Sequence, residues 1–346
     1  MNRPIIATCF YAENQADESE YFQVHLPPAT AAFQDVYWRA ITVGFATSWV
    51  QHGDTTRHVL ITNAHPPKSV DGFDLAALFD RFGIEVVIVS FEHVVPATLS
   101  ASYRGCFFKL DALQWLARTL EADQVGYLVD SDCVWLGPSN RLESRIRHFG
   151  VSVLDLQLDP YEPINDITRI DARAIYAQLD LPIDLGGAPP PHYGGEFYAG
   201  RGTALRDLVQ AVELVHAANL DAHVHGLPAL PTEEYVLTAA AQMVGASPRV
   251  TDGLVRRLWT DDTFRTVRSS DIELDLWHVP AEKTRGLARL FTAFATEHEI
   301  PEMLAGRGWP LFLADVLSVS SAAPEDPVET RRRLRLLGRR FVSRPR

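Results

Sequence analysis

Cysteine is scarce in this chain: three residues in 346, Cys9, Cys106 and Cys133. They are too few and too scattered for a disulfide framework, and no pair has the close spacing of a zinc or redox motif. A reducing cytoplasm is the expected setting. No stretch reaches the ~18 uninterrupted apolar residues that a membrane span needs. The apolar run from Ile5 meets Glu13 before a secretory h-region develops, so a soluble, unprocessed protein is expected. Positive charge is in deficit, 32 Lys and Arg against 44 Asp and Glu for a net charge of -12, which argues against a protein that coats nucleic acid by counterion release. The sequence also lacks a phosphate-binding P-loop, a Gly-x-Ser-x-Gly elbow, a His-Glu-x-x-His helix and any internal repeat of period 20 to 50, so those classes have no anchor.

What is present is apolar patterning. Hydrophobic residues make up 47% of the chain, enough to fill a substantial core. A strand at Pro4 to Tyr11 is followed by helical spacing through Val36, Ala40, Val43, Ala46 and Val50. A strand at His58 to Thr62, a helix from Phe73 to Phe82 and a strand at Ile84 to Phe91 come next, and the near-continuous Ile and Val of the last predict burial on both faces. Leu110, Leu113, Leu116, Ala117 and Leu120 mark another helix before the strand Val125 to Val129. Strands alternating with helices predict an α/β fold with a mostly parallel central sheet and helices on both faces. A strand-like run at Val151 to Leu156 precedes a Pro- and Gly-rich stretch, Leu181 to Gly195, read as a site-forming loop, and a helix from Thr203 to Ala217. After Leu311 the chain reads as irregular, and eight of its last sixteen residues are arginine.

Ligands in such sheets sit beyond the carboxyl ends of the strands. Asp130 stands at one of these ends, in Tyr127-Leu128-Val129-Asp130-Ser131-Asp132-Cys133. Two carboxylates closing an apolar strand need a partner, because desolvating an unpaired charge is costly. Mg²⁺ or Mn²⁺ suits them: such ions prefer oxygen ligands, take one or two carboxylates and leave positions for phosphate oxygens. The plain alternative for Asp-Ser-Asp is a solvated turn.

At this point the sequence resembles the nucleotide-sugar glycosyltransferases of the GT-A fold, in which a strand ending in Asp-x-Asp holds the metal and the donor diphosphate. A narrower resemblance is carried by His192-Tyr193-Gly194-Gly195-Glu196-Phe197-Tyr198-Ala199-Gly200 and by Pro231-Thr232-Glu233-Glu234-Tyr235, which look like the acceptor half of the retaining transferases of the ABO blood-group type. The likeness covers roughly residues 104 to 242. It implies a single catalytic domain over 1–310, with a nucleotide-sugar half (1–140) and an acceptor half (141–310), then an Arg-rich tail at 311–346. It also implies a metal-dependent, retaining transfer from a UDP-sugar to a hydroxyl acceptor, with Glu234 beneath the anomeric carbon. Two departures bear on specificity: the family's second glycine pair is Ala199-Gly200 here, and Tyr235-Val236 replaces Ser-His.

Glu234 has a role on chemical grounds too, since a carboxylate opposite the leaving group stabilises an oxocarbenium-like state or bonds to it. The alternative is a helix start, with Thr232 as cap and Glu233 and Glu234 favouring the dipole. Glu196, flanked by glycines, is the competing catalytic candidate. His278 and Lys283 loosely resemble a late His…Lys pair that many GT-A enzymes give to metal and diphosphate; a packed core histidine is the alternative. Arg104 and Lys109 are further candidates for the diphosphate, or plain surface charge. Thr8, Phe10 and Tyr11 close the first strand where related folds seat the nucleoside, though core packing also explains such aromatics. His223-Val224-His225 has no third ligand and reads as a polar loop. The tail, with Leu334, Leu336, Leu337 and Phe341 among its arginines, permits peripheral contact with an anionic membrane, or is simply solvated. Two rival functions are a sugar nucleotidyltransferase, which predicts a Gly-rich basic loop that Thr8 to Asn14 lacks, and a non-catalytic sugar-nucleotide or carbohydrate-binding protein on a transferase scaffold.

Overall fold

The isoleucines after Pro4 form strand β1 (Ile5–Phe10), which lies inside the sheet because almost every side chain along it is buried. The computed structural model describes residues 2–13, 26, 30–100, 103–184, 186–262, 264–296 and 308–319. Strands β2 (Arg57–Thr62) and β4 (Val125–Val129) flank β1 in parallel, and Ile5 pairs with Arg57 on one side and Gly126 on the other. Outside β2 lies β3 (Ile84–Ile88), also parallel. Beyond β4 the sheet continues antiparallel through β7 (Tyr193–Arg201) to β6 (Ser152–Asp155). The architecture is therefore mixed α/β on a six-stranded, mostly parallel sheet in the order β3-β2-β1-β4-β7-β6.

Alternation along β1 sends side chains into two separate cores. Ile6 and Phe10 join the core beneath α1 (Ala31–His52), α8 (Gly286–Thr296) and α9 (Gly308–Val316). Ile5 and Ala7 join the one beneath α3 (Phe108–Thr119), α6 (Gly202–Val224) and α7 (Glu233–Met243). Three shorter helices complete the layers: α2 (Leu75–Arg81), started by an Asp74 cap, α4 (Asn140–Phe149), and α5 (Arg169–Gln178), started by a Thr168–Asp171 capping box. Among the described residues no helix is long and apolar enough to cross a membrane.

Three sequence expectations change. The Ile84 to Phe91 run was expected to be buried on both faces, but it is an edge strand ending at Ile88, with Val86 and Ile88 36% and 43% exposed and Glu85 paired to Arg57 across the ladder at 2.7 Å. Aliphatic content alone does not say how many neighbours a strand will have. The loop expected up to Gly195 gives way at Tyr193 to β7, a nine-residue strand buried as far as Gly200. Its glycines make room for charged side chains, as shown below, and do not break the strand. The irregular stretch expected from Leu311 gives way, within the described residues, to α9, which runs to Val316 and buries Trp309, Leu313 and Ala314. The arginine-rich segment lies outside the described residues.

A buried polar knot fixes α1 to the sheet. Ser139 N–H donates to His52 Nε2 at 2.9 Å, and His52 Nδ1 lies 2.8 Å from the Ser48 carbonyl, so the ring is neutral with its proton on Nδ1. His58 Nε2 lies 2.8 Å from Ser48 Oγ. Burial pushes His52 down to about 4 and His58 down to about 3. In the unfolded chain both take a proton near pH ~6.5, so the native state loses stability as the pH falls from there toward 4, on the order of 3 kcal/mol for His52 alone. Urea-unfolding midpoints measured across that window should decline, and a flat profile would show that these rings do not stay neutral in the fold.

Candidate functional site

The site is built where the large sheet meets a small one. After Val129 the chain turns through Asp130-Ser131-Asp132 into β5 (Cys133–Trp135), which leaves the main sheet and forms the edge of a three-stranded sheet, β8 (Val255–Arg257), β9 (Leu276–His278) and β5. In that sheet Arg257 is the register partner of His278, and His278 that of Cys133. Val279 N–H donates to the Asp132 carbonyl at 3.0 Å. On the main-sheet side, Asp130 N–H donates to the Glu196 carbonyl at 3.1 Å. Two backbone ladders thus bring Asp130, Asp132, His278, Arg257 and Glu196 together.

Each carboxylate there meets a cation. Lys109 Nζ, from α3, lies 2.7 Å from Asp130 Oδ1 and 3.6 Å from Glu233 Oε1, and donates to the Gly195 carbonyl at 3.0 Å. Asp132, fully buried, has Lys283 Nζ at 2.5 Å and His278 Nε2 at 3.1 Å from its Oδ2. His278 Nδ1 faces Glu196 Oε1 at 3.3 Å. Arg257 grips Glu196 from Nε and Nη2, at 2.7 and 2.5 Å, and its Nη2 lies 3.3 Å from Glu234 Oε1. That same Glu234 oxygen accepts from Gly195 N–H at 3.1 Å and has His192 Nε2 at 3.5 Å.

Protonation follows from these partners. Burial alone would raise the Asp132 carboxyl, yet His278 and Lys283 hold it far below the usual carboxylate range. Glu196 is likewise held low against burial, by Arg257 and His278. For His278 burial opposes the charge, but Asp132 and Glu196 beside it raise the imidazole to about 9. Glu234, buried as well, is pulled down to about 2 by His192 and Arg257. Glu233 goes the other way: burial, opposed by Lys109, pushes it up to about 7. Adjacent carboxyls on one helix turn therefore hold protons differently, a separation that acid–base chemistry uses.

The residues fit a divalent cation. Ligand atoms of Asp130, Asp132 and His278 all lie within 4.8 Å of one another, and two carboxylates with an imidazole suit Mn²⁺ or Mg²⁺. Asp132 Oδ1 is buried with no hydrogen-bond partner among the described residues, an acceptor whose isolation is costly unless something else meets it. Glu196 behind the far nitrogen of His278 repeats the carboxylate–histidine pairing found at metal sites.

The remaining predicted residues separate. Tyr11 lines a cavity of about 230 Å³ with Phe91, Val94, Arg104 and Gly105, its ring 4.8 Å from that of Phe91. Arg104 begins a short 3₁₀ turn ahead of α3 and lines that cavity half-buried, whereas Lys109 is buried among the carboxylates. Phe10 instead packs in the core against Tyr37 and Trp38, at 5.2 and 4.9 Å, and Thr8 Oγ1 donates to the Val129 carbonyl at 2.9 Å. Thr232 stands at the N-cap position of α7, as the helix-start alternative has it, but its side chain makes no capping bond and its hydroxyl is buried without a partner among the described residues. His223-Val224-His225, read as a polar loop, instead closes α6, which runs to Val224 with His225 as its C-cap; His223 joins Thr98 at 2.9 Å.

Arg257 and His192 escaped the sequence reading as functional residues. The one signal for Arg257 was an arginine pair between Val255 and Leu258, polar residues where a short strand was otherwise apolar. No protein-family model and no curated protein matches the chain.

Glycines 194 and 195 belong to this charge cluster. A Cβ on Gly194 would lie 2.0 Å from Glu196 Oε2, and one on Gly195 3.0 Å from Lys109 Nζ. The Glu196 carboxylate is clamped by Arg257 and gives way poorly, whereas a lysine tip moves. Gly194→Ala should therefore destabilise the protein by about 1–3 kcal/mol and Gly195→Ala by less, as for overpacking in cores. Urea titration of the two variants checks this, and equal midpoints would argue against a rigid Glu196.

Proposed function

We propose that the protein is a nucleotide-sugar glycosyltransferase with a GT-A-type fold, which moves a sugar from a nucleoside-diphosphate donor, a UDP-sugar by preference, to a hydroxyl of a carbohydrate or small-molecule acceptor. The observation that carries this reading is that the strand-end carboxylates and the Glu233-Glu234 pair form one connected cluster. One link runs from Asp130 through Lys109 to Glu233, the other from Asp132 through His278, Glu196 and Arg257 to Glu234. Sugar transfer needs a diphosphate end and an anomeric end this close together.

Asp130, Asp132 and His278 would hold a divalent cation, which when bound supplies Lewis-acid stabilisation of the leaving diphosphate. Lys109 and Lys283, mobile point charges on long stems, are placed to move onto phosphate oxygens. The Tyr11–Phe91 cavity offers aromatic faces for a planar base, and Arg104 stands at its rim. Glu234 stays ionised, as a carboxylate that stabilises an oxocarbenium-like centre must, and with it the transfer retains configuration. Glu233, poised near neutrality, can exchange a proton with the acceptor hydroxyl. In this scheme Glu196 positions His278 and does not attack.

One observation favours a second reading. Asp130 and Asp132 already carry ammonium partners, and a protein that binds an anionic sugar-nucleotide without metal or turnover would use the same lysines. A thermal-shift panel of nucleoside diphosphates, with and without Mn²⁺, separates the two. The transferase reading expects a shift of several degrees that needs both Mn²⁺ and Asp132, by mass action on the folded state. A shift indifferent to Mn²⁺ favours the binding protein, and no shift with any nucleotide removes the donor-site assignment. With the true donor in hand, NMR of the product reports retention, and an inverted anomer would exclude Glu234 as a nucleophile.

A further inference from the structure

We infer that Arg257 is a positioning residue whose grip on Glu196 sets the affinity of the Asp130, Asp132 and His278 cluster for a divalent cation. The inference rests on the cation-site reading above and extends it to a residue outside the ligand set. Arg257 acts through Glu196. Its Nε and Nη2 reach the two oxygens of that carboxylate at 2.7 and 2.5 Å, a bidentate grip that fixes the carboxylate plane as well as its place. Glu196 Oε1 faces His278 Nδ1 at 3.3 Å, an ion-pair contact without hydrogen-bond geometry, and on the other side of the ring His278 Nε2 lies 3.1 Å from Asp132 Oδ2. A carboxylate beside the far nitrogen of a ligating imidazole orients the ring and favours the tautomer that keeps the proton on that nitrogen when the metal displaces the other.

The backbone supports the same chain of contacts. Arg257 and His278 are register partners on adjacent parallel strands, so guanidinium and imidazole rise from neighbouring positions toward one carboxylate. Gly194 makes room for this arrangement, because the Glu196 carboxylate occupies the space that a Cβ on that residue would take. Glu196 is fully buried, and the guanidinium of Arg257 is the group that meets both of its oxygens. The second contact of Arg257, Nη2 to Glu234 Oε1 at 3.3 Å, means that one side chain registers the cation end against the Glu233-Glu234 end.

The test is binding of Mn²⁺ alone to the full chain, followed by the loss of the free-ion electron paramagnetic resonance signal at fixed pH, alongside melting temperature. Arg257→Lys keeps the charge and loses the bidentate geometry; it should weaken Mn²⁺ about tenfold with little change in melting. The double variant Glu196→Gln with Arg257→Met removes that bidentate pair's two charges together, while Glu234 keeps His192 and the Gly195 N–H as partners; it should fold and bind about 10–100-fold more weakly. Arg256→Lys, on the same strand but paired with Asp271 at 2.6 Å, should bind like the parent. If the parent binds Mn²⁺ and both Arg257 variants bind it equally well, the positioning role is wrong while the cation site stands. If the parent binds no Mn²⁺, the cation site itself is wrong and this inference goes with it.

Discussion

Packing five carboxylates into one end of a sheet is the constraint on which the rest of this architecture depends. Asp132, Glu196, Glu233 and Glu234 are buried, and Asp130 sits beside them partly exposed. Left unpaired, each buried charge would cost several kcal/mol even after relaxation. The fold answers with Lys109 from α3, Arg257 from β8, His278 from β9 and Lys283 from the turn between β9 and α8. A parallel sheet alone could not deliver them, because its crossovers place only strand ends and helix starts at the site. The small sheet β8-β9-β5 branches off at Asp132 and carries Arg257 and His278 in adjacent register.

The same constraint explains features that look local. Gly194 and Gly195 are the second and third residues of a buried strand, where glycine ordinarily weakens the structure through backbone entropy and lost packing. Their missing Cβ atoms are replaced in space by the Glu196 carboxylate and the Lys109 ammonium. Strand β7 keeps its place through Tyr193, Phe197, Tyr198 and Ala199, which are buried in the two cores. Apolar packing therefore holds the strand, and the glycines concede volume to charge.

How much of this was legible in the sequence depends on the range of the physics involved. The strand Val125 to Val129 and its closing Asp130 are local: five buried apolar positions followed by a carboxylate can be read directly. Lys283 and Asp132 meet across 151 residues, and no periodicity encodes that contact. Glu196 stood out through its glycines, yet its orientation toward His278 and Arg257 depends on which strands pair, a property of the whole sheet. Likewise, the Ile and Val of β3 specify a strand without specifying its neighbours, so burial was assigned where an exposed edge exists. Phe10 and Tyr11 were read as one aromatic face, but alternation along the strand sends them to opposite sides of the sheet.

Rigidity is distributed unevenly in the site. The imidazole and the guanidinium are fixed by ladder register and by a shared carboxylate, and Asp130 and Asp132 by the backbone bonds to β7 and β9. Lys109 and Lys283 are different, each a buried ammonium on a four-carbon stem held by ion pairs at its tip and not by ladder register. In the proposed transferase the ligand set is therefore the preorganised part, and the lysines are the part that moves, from carboxylate to phosphate. This division reduces the cost of binding, because two side chains change position while no strand, helix or buried hydrogen bond between backbone groups has to be broken.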